Sequence, residues 1–396
     1  MKILFLSAWF PCPPDNGSKI RISNLLRALT RDHEVTLLTF ADPDEARDEE
    51  ALAAYCRIAG IVPRQVFRPW RLRALAGFLS RVPRSVVDIH SGEMAGRVAR
   101  ELASKDYDAV IASQMGMASY VDGRCKVARV FEEVETAVIR DAWAAIPPGL
   151  RRLRRRLTWD KTRRYVGRLA KRFSACTIVS ENERGLLRQA APGYEPIHVI
   201  PNGVDIERYR PNGIAPQPET LIFTGALTYS ANFDAMQFFL SEIWPDLRAQ
   251  VPGATLQITG RVEGVSLAGL PAGDGLRLTG YLPDVRPAVA AAWACVVPLR
   301  IGGGTRIKIL EAMALGTPVI STPKGAEGLE VTPEEDILIA DGPREFVAQT
   351  ARLLRDPALR ARLARNGRRL VEAKYGWDGI GGKFVTLVEE LAECRA

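Results

Sequence analysis

Short apolar runs alternate with longer amphipathic stretches along almost the whole chain, and this alternation narrows the possible folds more than any other feature. In the first half the runs are Ile3–Ala8, Val35–Phe40, Ala109–Ser113, Val127–Phe131 and Cys176–Ser180. In the second they are Leu221–Thr224, Thr255–Thr259, Leu276–Thr279, Cys295–Pro298 and Val319–Ser321. They are rich in Val, Ile and Leu and do not alternate with polar residues, the pattern of strands covered by helices on both faces. Repeated strand–helix units build a parallel sheet. Between the halves, Pro201–Pro218 is dense in Pro, Gly and Asn and reads as a connector. A chain of 396 residues exceeds one ordinary core. The sequence therefore predicts an α/β protein of two doubly wound, Rossmann-like domains, 1–205 and 206–376, facing a central cleft. Ligands are expected beyond the carboxyl ends of the strands. Pro343–Ala396 reads as helix only, interrupted by Gly376, Gly379, Gly381 and Gly382, with 377–396 expected as a terminal helix packing back on the first domain.

Hydrophobic residues at 47% and charged residues at 25% exclude a disordered or collagen-like chain. Cys12, Cys56, Cys125, Cys176, Cys295 and Cys394 are scattered without a Cys-x-x-Cys, which predicts reduced thiols and neither disulfides nor zinc. Of the three histidines, His33, His90 and His198, the last two read as structural. No apolar run reaches the roughly 18–20 residues of a membrane span. Lys2–Ala8 is cut short as a signal peptide by Pro11, Pro13, Pro14 and Asp15, so a cytoplasmic protein is expected. The net charge of +8 is unevenly placed: Arg151–Arg172 holds eleven Lys or Arg against Asp160 alone. Arg68–Arg84 mixes arginines with Trp70, Leu72, Leu75, Phe78 and Leu79. Such segments suit peripheral attachment to an anionic membrane surface. The plainer alternative buries Trp70 and Phe78 and leaves the arginines in water. A nucleic-acid partner is not expected, because no recognised module accompanies the basic run.

The chemistry-bearing motif is Pro298–Val319, PLRIGGGTRIKILEAMALGTPV. A buried strand ends at Pro298, Gly302, Gly303 and Gly304 turn the chain, and a helix opens near Thr305. Glycines allow close backbone approach, and free amides at a helix start favour a pyrophosphate. Arg306 and Lys308 add full charges there. Glu311, about two turns into the helix, stands among Ile309, Leu310, Ala312 and Met313, where an unpaired carboxylate is costly unless it has a ligand to meet. Gly316 stops the helix. No Gly-Lys-Ser/Thr gives a P-loop. No cluster of His and carboxylates has metal-ligand spacing, so neither metal nor other cofactor is expected.

This segment closely resembles the carboxyl-terminal signature of glycosyltransferase family 4, whose members have the GT-B fold. The resemblance covers nearly the whole chain. Pro13–Pro14–Asp15–Asn16–Gly17–Ser18 looks like the family's first loop, and Cys176–Glu183 with Val199–Asp205 looks like its approach to the interdomain connector. It is most similar to the branch of exopolysaccharide-type sugar transferases. The resemblance implies a metal-independent, retaining transfer from a nucleotide-sugar to a lipid-linked or glycan acceptor. The first domain would bind acceptor and the second donor, with Glu311 on the donor ribose. Gly225, Arg261, Tyr281, Leu282, Gly302, Gly303, Gly304 and Thr305 would line the donor site, and Asn16, Gly17 and Gln114 the acceptor side. Three positions depart from the pattern. Gly303 replaces a glutamate that meets the donor sugar, Gly225–Asn232 lacks the usual Arg and Lys, and Gln114 replaces a histidine. Arg306 and Lys308 then stand in for the missing charges, with Arg300 and Arg261 next in line. Front-side attack, with the leaving diphosphate helping to take the acceptor proton, suits a chain without paired catalytic carboxylates.

Other placements have bland alternatives. Asn16–Gly17 is also an ordinary turn, and Arg261 and Tyr281 are equally loop residues. Glu132, Glu133 and Glu135 read better as a solvated acidic edge than as acceptor ligands. The rival functions are a nucleotide-sugar epimerase of the same fold and a catalytically silent nucleotide-sugar or membrane-binding protein.

Overall fold

The computed structural model describes residues 1–123, 126–134, 136–137, 140, 143, 147–211, 213–270, 273–302 and 306–394. Two compact units are present, Met1–Pro201 with Asp378–Ala396, and Asn202–Trp377. In the first unit seven strands lie in the order β3-β2-β1-β4-β5-β6-β7. They are β1 (Lys2–Ser7), β2 (Glu34–Ala41), β3 (Arg57–Pro63), β4 (Ala109–Ser113), β5 (Ala128–Glu132), β6 (Ala175–Ile178) and β7 (Ile197–Val199). Every neighbouring pair is parallel; Phe5 of β1 stands between Leu37 and Ile111. Leu4, Leu6, Val110, Phe131, Cys176 and Ile178 are fully buried, as expected of strands covered on both faces.

The second unit repeats the plan with six parallel strands in the order β10-β9-β8-β11-β12-β13. They are β8 (Thr220–Thr224), β9 (Thr255–Thr259), β10 (Leu276–Gly280), β11 (Ala294–Val297), β12 (Val319–Ser321) and β13 (Leu338–Ile339). In each sheet the strand order reverses once, between β1 and β4 and between β8 and β11. At such a reversal the flanking connections diverge and leave a crevice beyond the carboxyl ends.

Within the stretch read as a connector, Arg368 donates to the carbonyls of Ile206 and Tyr209, and to that of Ala314, at 3.2, 2.9 and 2.6 Å. A cation there also faces the carboxyl end of the helix Ile307–Ala314. Gly379, Gly381 and Gly382 do not interrupt the last helix, Trp377–Glu393. Gly381 faces Ala28 of the helix Gly17–Leu29, where an added Cβ would come within 2.7 Å of the alanine methyl. Among the described residues no helix is long and apolar enough to cross a membrane.

Candidate active site

In the second unit, β8 and β11 end side by side. After Thr224 the chain turns at Gly225 with φ +136°, and after Thr259 at Gly260 with φ +128°. Gly225 donates its amide to the Thr259 carbonyl at 3.0 Å. A Cβ on Gly260 would lie 2.4 Å from the Gly225 carbonyl carbon, and one on Gly225 would lie 2.9 Å from Lys308 Nζ. Both glycines are therefore required, by backbone angle and by space. They let the loop after β8 close onto Lys308.

Lys308 and Arg306 do not present the open charges that the sequence suggested. Lys308 is half-buried as a residue, and its Nζ donates to Asn232 Oδ1 at 2.9 Å and sits 4.0 Å from the Phe223 ring centre. Asn232 in turn donates to the Ala226 carbonyl. Burial, with Arg306 nearby, brings the Lys308 ammonium down to a pKa of about 7. Arg306 is buried and donates through Nη2 to the Gly302 carbonyl at 2.8 Å. Gly303, Gly304 and Thr305 lie outside the described residues.

The helix begins at Ile307, so Glu311 is its fifth residue, one turn in and not two. The carboxylate is not isolated among apolar residues as the sequence implied. It lies near the half-buried Tyr209 phenol and feels Lys308 and Arg208. Burial nevertheless raises its pKa, and raises that of Tyr209 further above the phenol range. Tyr209 is held there through its own carbonyl by Arg368. Glu311 and Lys308, three residues apart, share one face of the helix Ile307–Ala314. Such a carboxylate suits two ribose hydroxyls, and such an ammonium suits a phosphate.

Arg261 lies exposed at the end of β9, with its guanidinium 5.2 Å from the centre of the exposed Tyr281 ring beyond β10; Leu282 beside it is half-buried. A stacked pair at these strand ends offers a platform for a planar base. Arg300 is committed elsewhere, to Asp234 at 2.7 Å and over the Phe238 ring. It is not a reserve cation for the diphosphate.

In the first unit the matching crevice lies beyond β1 and β4. Gln114 follows Ser113 with φ +69° and Glu133 follows Glu132 with φ +53°, both in the left-handed region. Left-handed non-glycine residues at adjacent strand ends carry strain of the kind found at functional sites. The Gln114 amide accepts from Trp9 Nε1 at 3.2 Å and donates to Ser18 Oγ at 3.2 Å and Glu133 Oε2 at 2.8 Å. The solvated acidic edge expected at 132–135 is overturned for both described glutamates. Glu132 is fully buried, paired with Arg21 Nε at 2.5 Å and accepting from Ser113 Oγ, and Glu133 is buried as well. Glu135 lies outside the described residues. Asn16 caps the helix Gly17–Leu29, accepting from the Lys19 amide at 3.1 Å, so its carbonyl oxygen already has a structural partner. Gly17 opens that helix.

The expectation of no metal supposed that no Asp-x-Asp occurs, and the sequence corrects this with two, Asp42–Pro43–Asp44 and Asp106–Tyr107–Asp108. Both Asp42 oxygens receive Arg64, and Asp108 accepts the Lys2 amide. Among the described residues no group of three His, Cys, Asp or Glu is gathered to hold a metal ion.

Two parallel-sheet units with these crevices are the architecture of a GT-B glycosyltransferase. Residues 15–208 match the family described as Glycosyltransferase Family 4, and residues 218–356 match Glycosyl transferases group 1. The chain belongs to glycosyltransferase family 4. One curated relative is the GDP-mannose-dependent monoacylated alpha-(1-6)-phosphatidylinositol monomannoside mannosyltransferase of Corynebacterium glutamicum. It is 25% identical over 248 residues, which cover 58% of this chain and 65% of that protein. The chain spans between a third and two thirds of the length of the first curated relatives it matches. Among solved structures, sucrose-phosphate synthase from Thermosynechococcus elongatus superposes with a TM-score of 0.72 at 18% identity, covering 100% of both chains. Anabaena HepE in complex with UDP and glucose gives 0.68 at 16% identity, covering 98% of this chain and 100% of that one. At these identities the superpositions establish the fold.

Proposed function

We propose that this protein is a hexosyltransferase that moves a sugar from a nucleoside-diphosphate sugar to a hydroxyl of a lipid-linked acceptor. It acts with retention, without a divalent metal, from the cytoplasmic face of a membrane. The observation carrying this reading is the placing of Lys308 and Glu311 on one helix face at the β8/β11 crevice. Glu311 with Tyr209 would hold the ribose. Lys308, with Arg306 and the helix-start amides, would take the charge that builds on the departing diphosphate. The stacked Arg261–Tyr281 pair would seat the base. That electrostatic load is met by cations of the chain itself. By their names, the Corynebacterium relative uses a nucleotide-mannose and an acylated phosphatidylinositol mannoside, and HepE holds UDP and glucose, which supports a nucleotide-sugar donor.

The membrane reading rests on exposure. Trp70 is 85% exposed, Phe78 61% and Leu79 97%, so the alternative in which these side chains are buried does not hold. Leu150, Leu153 and Leu157 are exposed on the helix Leu150–Ala170. That helix is tied to the other basic segment, since Lys161 Nζ donates to the Gly77 carbonyl and Arg168 Nη2 to the Arg81 carbonyl at 2.6 and 2.8 Å. The two segments thus form one face, apolar and cationic, suited to an anionic interface.

Incubation with a panel of radiolabelled nucleotide-sugars and a lipid extract tests the activity. Transfer to an extractable lipid that persists in excess chelator is expected. Failure with every donor, or loss restored by magnesium or manganese, would overturn the corresponding part. For the membrane face, sedimentation with liposomes should require anionic lipid, fall with salt, and weaken when Arg71, Arg73 and Arg81 become Glu. Equal partition onto neutral and anionic vesicles would contradict it.

A further inference from the structure

A pocket of about 350 Å³ lies within the first unit at the carboxyl ends of β1 to β4. Trp9, Phe40, Val86, Ile89 and Met117 give it mainly apolar walls. Apart from the exposed Gln65, its main polar groups are already engaged. Gln114 spends its amide on Trp9, Ser18 and Glu133. Arg64 gives Nε and Nη2 to the two Asp42 oxygens at 2.7 and 2.5 Å and lays its guanidinium 3.8 Å from the Trp9 ring centre. A sugar in this space would leave its own hydroxyls largely without partners, which is costly in a closed site. Hydrocarbon would not. A volume of this size is at the lower end for small-molecule sites, about 300–1,000 Å³.

The mouth indicates where such a ligand comes from. Val66, 65% exposed, and Phe67 line the pocket, and the chain runs from them directly into the exposed apolar and basic stretch that begins at Arg68. We infer that this pocket takes the hydrocarbon next to the head group of an amphiphilic acceptor, drawn along the Val66–Phe67 rim from the lipid surface. The inference rests on the proposed lipid-linked acceptor and adds where the chain lies. It places Trp9 and Arg64 as residues that set acceptor specificity through chain fit.

Gly116 supplies the probe. It lines the pocket, its backbone is of ordinary helical hand, and a Cβ there meets nothing within 4 Å. Gly116→Leu should fill the space without displacing a neighbour. The experiment is calorimetric titration with butyl and octyl phosphate, each below its aggregation concentration. For the native protein octyl phosphate should bind at least about tenfold more tightly than butyl phosphate, because added methylenes enter an apolar pocket. Gly116→Leu should abolish that preference. Val66→Asp, on the exposed rim where folding is not at issue, should reduce it severalfold. Thermal unfolding and nucleoside-diphosphate binding confirm that each variant is folded. Equal affinity for the two chain lengths, or an unchanged preference in a folded Gly116→Leu or Val66→Asp protein, overturns the pocket assignment. Sedimentation of the same variants on anionic liposomes separates the two claims. Gly116→Leu should still sediment, whereas a chain-length preference in a protein that ignores vesicles would overturn the membrane reading alone.

Discussion

Lys308→Ala is expected to lower kcat by about 10²–10³, the loss seen when one preorganised donor to a developing anion is removed. The Lys308 ammonium sits among Asn232, Phe223 and Arg306, with a pKa of about 7 in the unliganded protein. A bound diphosphate would oppose burial and Arg306 and raise that pKa. The sign follows from linkage. Below about pH 7 Lys308 is already charged and binding is at full strength; above it, each unit of pH weakens binding by up to about tenfold, until the pKa of the complex is reached. Binding at pH 8 should therefore take up a proton, visible as a buffer-dependent heat. In Lys308→Ala both the proton uptake and this pH slope should vanish. A variant with native turnover and native pH slope would remove Lys308 from the site.

The second large effect is on stability. Glu132→Ala should destabilise the first unit by about 3–5 kcal/mol, because it strands the Arg21 guanidinium in the interior. Both side chains are fully buried. Arg21 also donates to the carbonyls of Ile200 and Pro201 at 2.9 and 3.1 Å, so the pair ties β5 to the end of the segment after β7. For a unit of this size the loss corresponds to a fall in Tm on the order of 10 °C. The double variant Arg21→Met, Glu132→Leu should recover most of it, since a buried ion pair is worth little more than a well-packed apolar pair. Thermal unfolding of the three proteins decides the matter. Single and double variants of equal stability would show that the two residues are not coupled.

The central strands were legible in the sequence because burial on both faces leaves an unbroken apolar run. Ala109–Ser113 and Thr255–Thr259 match the observed strands end for end. The strands that sequence reading missed, β3, β7 and β13, are all at sheet edges. β3 is half-exposed and contains Gly60, and β7 and β13 have three and two residues, too short for any periodicity. Within the candidate site, the shared helix face of Lys308 and Glu311 could be read because their local spacing places them together. Asn232, Tyr209 and Arg368 could not. They reach the site from 76, 102 and 57 residues away from Lys308, Glu311 and Glu311 respectively (308−232, 311−209, 368−311), and nothing local marks them. The misreading of Glu132 has the same origin: a run of acidic residues looks solvated until the arginine that neutralises one of them, 111 residues earlier, is seen beside it. Charge state was also hidden, since an isolated Lys308 reads as a full cation and only its surroundings lower its pKa.

The claim on which the rest depends is that Glu311 and its helix hold the donor nucleotide. Calorimetric titration of UDP and GDP into the native protein and into Glu311→Ala tests it directly. One of them should bind the native protein at a single site, and Glu311→Ala should weaken it about ten- to hundredfold, the cost of about 1.5–3 kcal/mol for a charge-assisted hydrogen bond. Unchanged affinity in a folded Glu311→Ala protein would contradict it.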